Sequence, residues 1–228
     1  MSANETPVVR FSGCGILRFV FCTVAAVGCS RQAGDAQSPG APLPPASPGA
    51  LRPLAVFEAV PAGPERGRAL FTEASRVLLH PRCVNCHVEG DSPGQGQELA
   101  LHEPPVVRGP DDRGVVGMEC RGCHQDQNLE LSRVPGAPDW RLPPRAMAWV
   151  GRSPGQLCEQ LKDRARNGGR ALAEVVDHVD HDPLVAWGWA PGADRPPAPG
   201  SQAEFTALMG AWVESGADCP ASASESHD

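Results

Sequence analysis

The sequence contains few aromatic residues for its length. Of 228 residues only 5% are aromatic, and tyrosine is absent. Hydrophobic residues of all kinds reach 41%, so side chains alone would build a thin core for a chain of this size. A bulky apolar cofactor buries surface that side chains otherwise bury. We therefore expect a cofactor to form part of the core.

Basic charge is also scarce. The formal net charge is −7, Lys162 is the only lysine, and no basic cluster stands out. Binding to nucleic acid depends on a basic patch that meets the phosphate backbone. The sequence therefore predicts that nucleic acid is not a partner.

Long hydrophobic runs are missing as well. The apolar run FVFCTVAAV, over residues 19–27, is too short to span a bilayer. It follows Arg10 and Arg18 and ends in small residues, which is typical of a secretory signal peptide, here residues 1–28. Cys29 directly behind it resembles the acylated cysteine of a bacterial lipoprotein, while cleavage by ordinary signal peptidase is the alternative. We expect a periplasmic, membrane-anchored lipoprotein of a Gram-negative bacterium.

Proline and glycine, by contrast, are abundant, with 25 of each. Residues 29–53 are rich in Pro, Ala, Ser and Gly. Such a segment acts as a spacer, here between the lipid anchor and the globular part. The globular domain then spans residues 54–220, and residues 221–228 form a polar tail.

Four stretches of the domain carry apolar residues at helical spacing. They are Pro64–Leu79, Ser153 to about Arg166, Ala171 to about Asp180, and Ser201 to about Ser215. Long Pro- and Gly-rich stretches without strand alternation separate them. The sequence therefore predicts a mostly α fold with extensive irregular loops.

The nine cysteines fall into three groups. Cys14 and Cys22 lie in the signal peptide, and Cys29 is the expected site of lipidation. Four belong to two C-x-x-C-H groups: the first motif is Cys83, Cys86 and His87, and the second motif is Cys120, Cys123 and His124. Cys158 and Cys219 remain, and a pair left over in an oxidising compartment predicts a disulfide.

Three kinds of site use C-x-x-C pairs. Four thiolates can bind zinc, but the gap between Cys86 and Cys120 exceeds that of common zinc ribbons, and the histidines are surplus. A thioredoxin-like redox pair requires a βαβ context, which is not visible here. In c-type haem, the two thiols add to the porphyrin vinyl groups, and the adjacent imidazole binds the iron. Two such motifs behind an export signal favour two covalently attached haems.

The two motifs are close in sequence. The segment between His87 and Cys120 is too short to wrap a haem in a separate domain. We therefore expect a single compact dihaem cytochrome c-like domain, with both haems in one core and close enough to exchange electrons.

Each iron needs ligands on both faces in an electron carrier. His87 and His124 are the expected proximal ligands. Met147 lies in the Pro-bounded stretch LPPRAMAWV, and we predict that it binds the iron of the second motif and raises its potential. For the first motif we expect a histidine. The histidine candidates, in order of preference, are His102, His181, His178 and His80. Met209 fits core packing better than ligation.

Several stretches around and beyond the motifs resemble a known bacterial family. They include RGPDDRGVVGMECRGCHQDQN, PGAPDWRLPPRAMAWVG and HDPLVAWGWAPG. These stretches are similar to exported dihaem proteins described as an isoquinoline 1-oxidoreductase subunit, over about Arg68 to Pro220. The resemblance implies a redox partner, either a dehydrogenase or a molybdenum hydroxylase, from which the chain accepts electrons.

Two functions remain open. The first is a periplasmic dihaem electron-transfer protein with both irons six-coordinate, which is not an enzyme by itself. The second is a dihaem enzyme, such as a peroxidase, with one iron open to substrate. The globular part leaves little chain for a substrate pocket beside two haems, which favours the electron carrier.

Overall fold

The computed structural model describes residues 42–222. These residues all fall within one compact unit. The predicted signal peptide, the lipidation site Cys29, part of the linker and most of the polar tail lie outside them. No helix in the described part of the chain has the length and apolar character that a membrane span requires.

Helices are the main regular elements, and strands are few. The α-helices are α1 (Pro64–Leu78), α2 (Pro81–Val84), α3 (Pro154–Lys162), α4 (Leu172–His181), α5 (Pro183–Ala186) and α6 (Gln202–Glu214). Short 3-10 helices cover Leu54–Ala59, Cys120–Gly122, Arg145–Met147, Arg164–Arg166 and Trp187–Trp189. Two antiparallel hairpins pair β1 (Gly94–Gln95) with β2 (Ala100–Leu101), and β3 (Gly114–Val115) with β4 (Met118–Glu119). The predicted mostly α fold with long irregular loops is confirmed at this level.

Four helices, α1, α3, α4 and α6, form the hydrophobic core. Helix α1 packs against α6 and α3, and α4 packs against α6. Apolar residues recur at helical spacing along the inner face of α1. Phe71 and Trp212 are fully buried where α1 meets α6, with ring centroids 4.8 Å apart. This helical half of the domain carries the first motif directly behind α1.

The helix that begins after Ser153 is shorter than predicted. The Ser153 hydroxyl accepts a hydrogen bond from Gln156 N, and the Gln156 side chain accepts one from Ser153 N, which forms a capping box. The helix ends at Lys162 instead of continuing to Arg166. Asp163 is extended there, and its carboxylate accepts a backbone hydrogen bond that starts a separate 3-10 turn. The other three predicted helices are confirmed with slightly different ends.

Residues 88–149 form the irregular half of the domain and surround the second motif. The buried guanidinium of Arg108 holds several of its loops together. Its partners are the backbone carbonyls of Val88, Gly90 and Pro143 and the carboxylate of Asp112. These charge-assisted contacts satisfy backbone groups that regular secondary structure does not reach here.

An ion-pair network ties the start of the described chain to α1. The buried Glu73 carboxylate contacts the guanidinium groups of Arg52 and Arg76, the latter at 2.5 Å. The backbone N–H of Arg52 also donates to Glu73, at 3.0 Å. Burial alone raises the pKa of Glu73, but the hydrogen bonds from Arg52 and Arg76 hold it below its ordinary value. Glu73 is therefore charged in the folded protein at neutral pH.

The chain after α6 crosses α3 and is bonded to it. Cys158 in α3 and Cys219 form a disulfide, with their Cα atoms 5.5 Å apart. The pairing expected from the sequence is therefore present. Gly155 lies where the segment crosses the helix, because a Cβ there would lie 2.5 Å from the carbonyl oxygen of Pro220. Only glycine admits so close an approach of backbone to helix.

We expect the disulfide to contribute strongly to stability. It joins residues with a sequence separation of 61, and the chain-entropy relation for such a loop gives about 4 kcal/mol. Replacing Cys158 and Cys219 together by serine should lower the free energy of unfolding by up to that amount, measured by chemical denaturation. A reductant should destabilise the wild type similarly and leave the double variant unchanged. Equal stability of the two proteins would contradict this role.

Glu73 should make the stability of the domain depend on pH. Because its folded-state pKa is depressed, its contribution is complete above its unfolded pKa and is lost as the pH falls through the folded value. Glu73→Gln should cost about 1–3 kcal/mol at neutral pH, since two arginines lose a charged partner. Denaturation curves should show this difference shrinking in acid, and a constant difference would refute it. Glu65→Gln, at an exposed position of the same helix, is the control.

Candidate functional site

Both motifs adopt the same backbone turn. His87 N donates to the Cys83 carbonyl at 3.1 Å, and His124 N donates to the Cys120 carbonyl at 2.9 Å. A helical turn brings residues three and four positions apart onto one side. Each turn therefore presents two thiols and an imidazole together.

The first turn is positioned by the end of α1. His80 precedes α2, and its Nδ1 accepts a hydrogen bond from Arg82 N at 3.2 Å. Pro81 occupies the first helical position, which suits a residue without an N–H. His80, a candidate ligand in the sequence, therefore caps the short helix that carries Cys83.

Both motif histidines are held by a backbone carbonyl. Nδ1 of His87 lies 2.7 Å from the Met147 carbonyl oxygen, and Nδ1 of His124 lies 2.7 Å from that of Pro135. A carbonyl oxygen only accepts, so Nδ1 carries the proton and Nε2 keeps its lone pair. Burial lowers the pKa of His87 to about 3 and also lowers the pKa of His124. Both rings are thus neutral, the form in which histidine binds a metal.

A tryptophan stacks on each of these imidazoles. Trp149 stacks on His87 with ring centroids 3.3 Å apart, and Trp140 stacks on His124 at 4.4 Å. The planes are nearly parallel, at 9° and 5° respectively. At the first site, Trp149 N also donates to the His87 carbonyl at 2.8 Å. The hydrogen bond and the stacked ring together fix the orientation of each imidazole.

Each motif lines its own cavity. The first cavity, about 1210 Å³ including the part open to solvent, contains the first motif among mostly apolar side chains of the helical half. The second cavity, about 1960 Å³ on the same basis, contains the second motif and is bordered mainly by the irregular half. Both cavities open to solvent, and each exposes the two thiols and the imidazole of its motif.

The four motif thiols are not bonded to one another in the structure. Burial raises the pKa of Cys83 to about 12 and that of Cys86 to about 11, and it also raises the pKa of Cys120. Zinc binding and disulfide exchange both need thiolates. In residues 42–222, moreover, no group of three or more His, Cys, Asp or Glu side chains is arranged to hold a metal ion. The four-thiolate arrangement is therefore not assembled.

The two cavities share one wall. Five residues line both of them: Arg82, Cys86, Trp140, Arg141 and Trp187. Within this wall Trp140 meets Trp187 edge to face, with ring centroids 5.0 Å apart. Trp189 lines the first cavity. The two motifs are therefore adjacent across the side chains of the shared wall.

Arg82 is a buried cation with no carboxylate partner among the described residues. Its guanidinium donates to the Gln97 side chain at 3.0 Å, but its Nε has no hydrogen-bond partner there. Burial lowers the pKa of Arg82, and the charge of Arg195 lowers it further. An uncompensated buried charge is costly. The shared wall thus suits a ligand whose acidic groups reach Arg82.

The structure places each of the two preferred distal candidates beside the other motif from the one expected. The sequence assigns Met147 to the second motif, but its carbonyl binds His87 and its side chain lines the first cavity. The sequence assigns His102 to the first motif, but it lines the second cavity, with its ring centroid 5.9 Å from that of His124. The segment between the two motifs packs beside the second motif, and the segment that carries Met147 packs beside the first motif. Both assignments are corrected accordingly.

The remaining candidates occupy different environments. His178 in α4 lines the first cavity, and its Nδ1 lies 3.4 Å from a carboxylate oxygen of Asp182. His181 is exposed beside acidic residues of its own helix. Met209 is fully buried at the first cavity, as expected for core packing. Met118, two residues before Cys120, is exposed and borders the second cavity. His178, which follows His181 in the preference order, therefore lies at the first cavity, whereas His181 does not line it.

The groups that hold the motif histidines do not follow from the sequence patterns considered above. Trp140 and Trp149 each follow a Pro-rich stretch behind the second motif, and this recurrence is the signal that could have identified them. The carbonyls of Pro135 and Met147 carry no such signal, because every residue has a carbonyl.

Comparisons with known proteins gave no match to a protein-family model, to a curated protein or to a solved structure. The geometry of the two motifs and their cavities is therefore the basis for assigning a function.

Proposed function

We propose that this protein is a dihaem c-type electron-transfer protein of the bacterial periplasm. One haem is joined to Cys83 and Cys86, and the other is joined to Cys120 and Cys123. The observation that carries the proposal is the duplicated arrangement of the motif histidines. Each has Nδ1 on a carbonyl, a stacked tryptophan, and an Nε2 without a hydrogen-bond partner in residues 42–222, beside a cavity of its own.

The surroundings of both motifs fit a haem better than a zinc ion. The complete first thiol pair lines only the first cavity and the complete second pair lines only the second, although Cys86 also lies in the shared wall, and the first cavity is mostly apolar, as a porphyrin face requires. Arg82 in the shared wall, which has no carboxylate partner in the described chain, complements the carboxylates that a haem carries at one edge, and Arg141 beside it is paired with Asp139. A bound haem supplies reversible one-electron chemistry at its iron.

The residues of the chain hold and orient each cofactor. The cysteine pairs provide the covalent links, and His87 and His124 offer a neutral Nε2 as the proximal ligand. The hydrogen bond from Nδ1 to a carbonyl makes the imidazole a better donor to the metal. Trp149 and Trp140 keep the ligand planes in place.

A redox protein is the partner that this arrangement suits. The reduced partner gives up one electron at a time and is itself oxidised, and the adjacency of the two cavities favours exchange between the sites. The resemblance to isoquinoline 1-oxidoreductase subunits supports a dehydrogenase or a molybdenum hydroxylase as this partner. A lipid on Cys29 would keep the protein at the membrane where such partners work.

Haem content tests the proposal directly. Protein made with a c-type maturation system should contain two covalent haems per chain, measured as the pyridine haemochrome and retained on a denaturing gel. Replacing Cys83 and Cys86 by alanine should remove one haem, and replacing Cys120 and Cys123 should remove the other. The matched control is the Cys158 and Cys219 pair, whose replacement by serine should leave both haems in place. Bound zinc without haem would overturn the proposal.

Reductive titration separates a carrier from an enzyme. The holoprotein should take up two electrons per chain, one at each iron, and should return them to an oxidant in the same number. It should consume hydrogen peroxide no faster than buffer alone does, because a carrier has no iron open to substrate. Substantial peroxidase turnover would favour the dihaem-enzyme alternative.

A further inference from the structure

We infer, on the basis of the proposed function, that His178 and His102 are the distal ligands, so that each iron is held by two histidines. The pairs are His87 with His178 in the first cavity and His124 with His102 in the second. Six histidines lie in residues 42–222, and these four are the ones that line the cavities. Each cavity therefore receives one motif histidine and one other.

The spacing of the second pair fits an ion between two imidazoles. The ring centroids of His102 and His124 are 5.9 Å apart, at an interplanar angle of 66°. Two metal–imidazole bonds of about 2.0 Å, with each ring centroid roughly 1 Å behind the coordinating nitrogen, place the two ring centroids about 6 Å apart. Stacked rings lie closer, as Trp140 does at 4.4 Å from His124, and edge-to-face rings also occur at 5.9 Å. The centroid distance of this pair thus matches the one that a shared metal ion requires, and the common cavity supplies the space beside it.

Both proposed ligands are oriented through Nδ1, as the motif histidines are. Nδ1 of His102 lies 2.9 Å from the Pro104 carbonyl oxygen, and Nδ1 of His178 lies 3.4 Å from an Asp182 carboxylate oxygen. Asp182 is itself fixed, because the same carboxylate accepts two backbone hydrogen bonds at the start of α5. A partner on Nδ1 sets the ring orientation and reserves Nε2 for the metal.

The two other histidines do not combine an oxygen partner on Nδ1 with a place at one of the two cavities, although Nδ1 of His181 lies 3.0 Å from the Asp177 carbonyl oxygen. His80 accepts a hydrogen bond at Nδ1 from Arg82 N, so its proton is on Nε2. His181 is exposed, and its Nε2 lies 3.6 Å from the Asp180 carboxylate. Neither residue lines the first or the second cavity.

At both sites, the methionines are placed less well than these histidines to serve as the distal ligand. Met147 supplies the carbonyl that binds His87 Nδ1, which places its backbone behind the proximal imidazole and not across the iron from it. Met209 is fully buried within the helical core, where an adaptable side chain fills space. Met118 lines the second cavity but lies in β4, close in sequence to Cys120.

The ligand set decides between the two functions left open by the sequence. Two histidines at each iron leave no position for peroxide, so neither site acts as a peroxidase. They also remove the potential-raising thioether that a Met/His iron has. Any difference in potential between the irons then comes from their surroundings, since the first cavity is lined mostly by apolar side chains and the second by more polar ones.

The wild-type holoprotein provides the first test. The EPR spectrum of the ferric protein should show only low-spin iron at both sites, and its absorption spectrum should lack the weak far-red sulfur-to-iron band that marks methionine ligation. High-spin iron or a sulfur band in a protein that contains two haems would overturn the ligand assignment. Absence of haem would instead overturn the proposed function, so the two failures are distinguishable.

Single variants provide the second test. His102→Ala and His178→Ala should each turn half of the iron high-spin while two haems per chain remain, and added imidazole should restore the low-spin spectrum. The matched controls are His181→Ala on the helix of His178 and Met118→Leu in the cavity of His102, and neither should change the spectrum. If His102→Ala or His178→Ala keeps the wild-type spectrum with both haems, that assignment is wrong. If a variant does not accumulate, the EPR and absorption spectra of the wild-type holoprotein still decide whether both irons have two histidine ligands.

Discussion

The hydrogen bond between His87 Nδ1 and the Met147 carbonyl, at 2.7 Å, joins the two halves of the domain. His87 follows the helical half, and Met147 lies near the end of the irregular half. Trp149 strengthens the junction because its backbone N–H donates to the His87 carbonyl and its ring stacks on the imidazole. The segment that surrounds the second motif begins after His87 and ends near Met147, so both of its ends lie at this junction. Both cavities depend on it, since the first contains His87 and the second borders the loops that it closes.

The scarcity of aromatic residues now has a structural explanation. Of the five tryptophans, one packs in the helical core, and the others line the cavities: Trp140, Trp149, Trp187 and Trp189. Four of the five tryptophans therefore border the cavities, and Trp212 fills the helical core. Buried surface gained from a cofactor adds to stability in the same way as buried side chains. The two haems that we propose would add buried surface of this kind beside the four tryptophans.

The sequence predicts the parts that depend on local pattern and chemistry. Apolar spacing identifies α1 and α6, and elimination among the cysteines identifies the disulfide between Cys158 and Cys219. The path of the irregular half is not predictable in this way, because Arg108 and His87 direct it through backbone carbonyls that no sequence pattern marks. For this reason Met147 and His102 were each assigned to the wrong motif.

The wall shared by the two cavities makes the sites interdependent. Arg82 faces both of them, and charges separated by low-polarity side chains are screened far less than charges in water. A negative charge bound on one side reduces the attraction that Arg82 offers on the other. Such coupling is reciprocal by thermodynamic necessity. If each cavity holds a haem, as we propose, successive redox steps belong to the pair of sites as a whole, and changing Arg82 would shift both potentials at once.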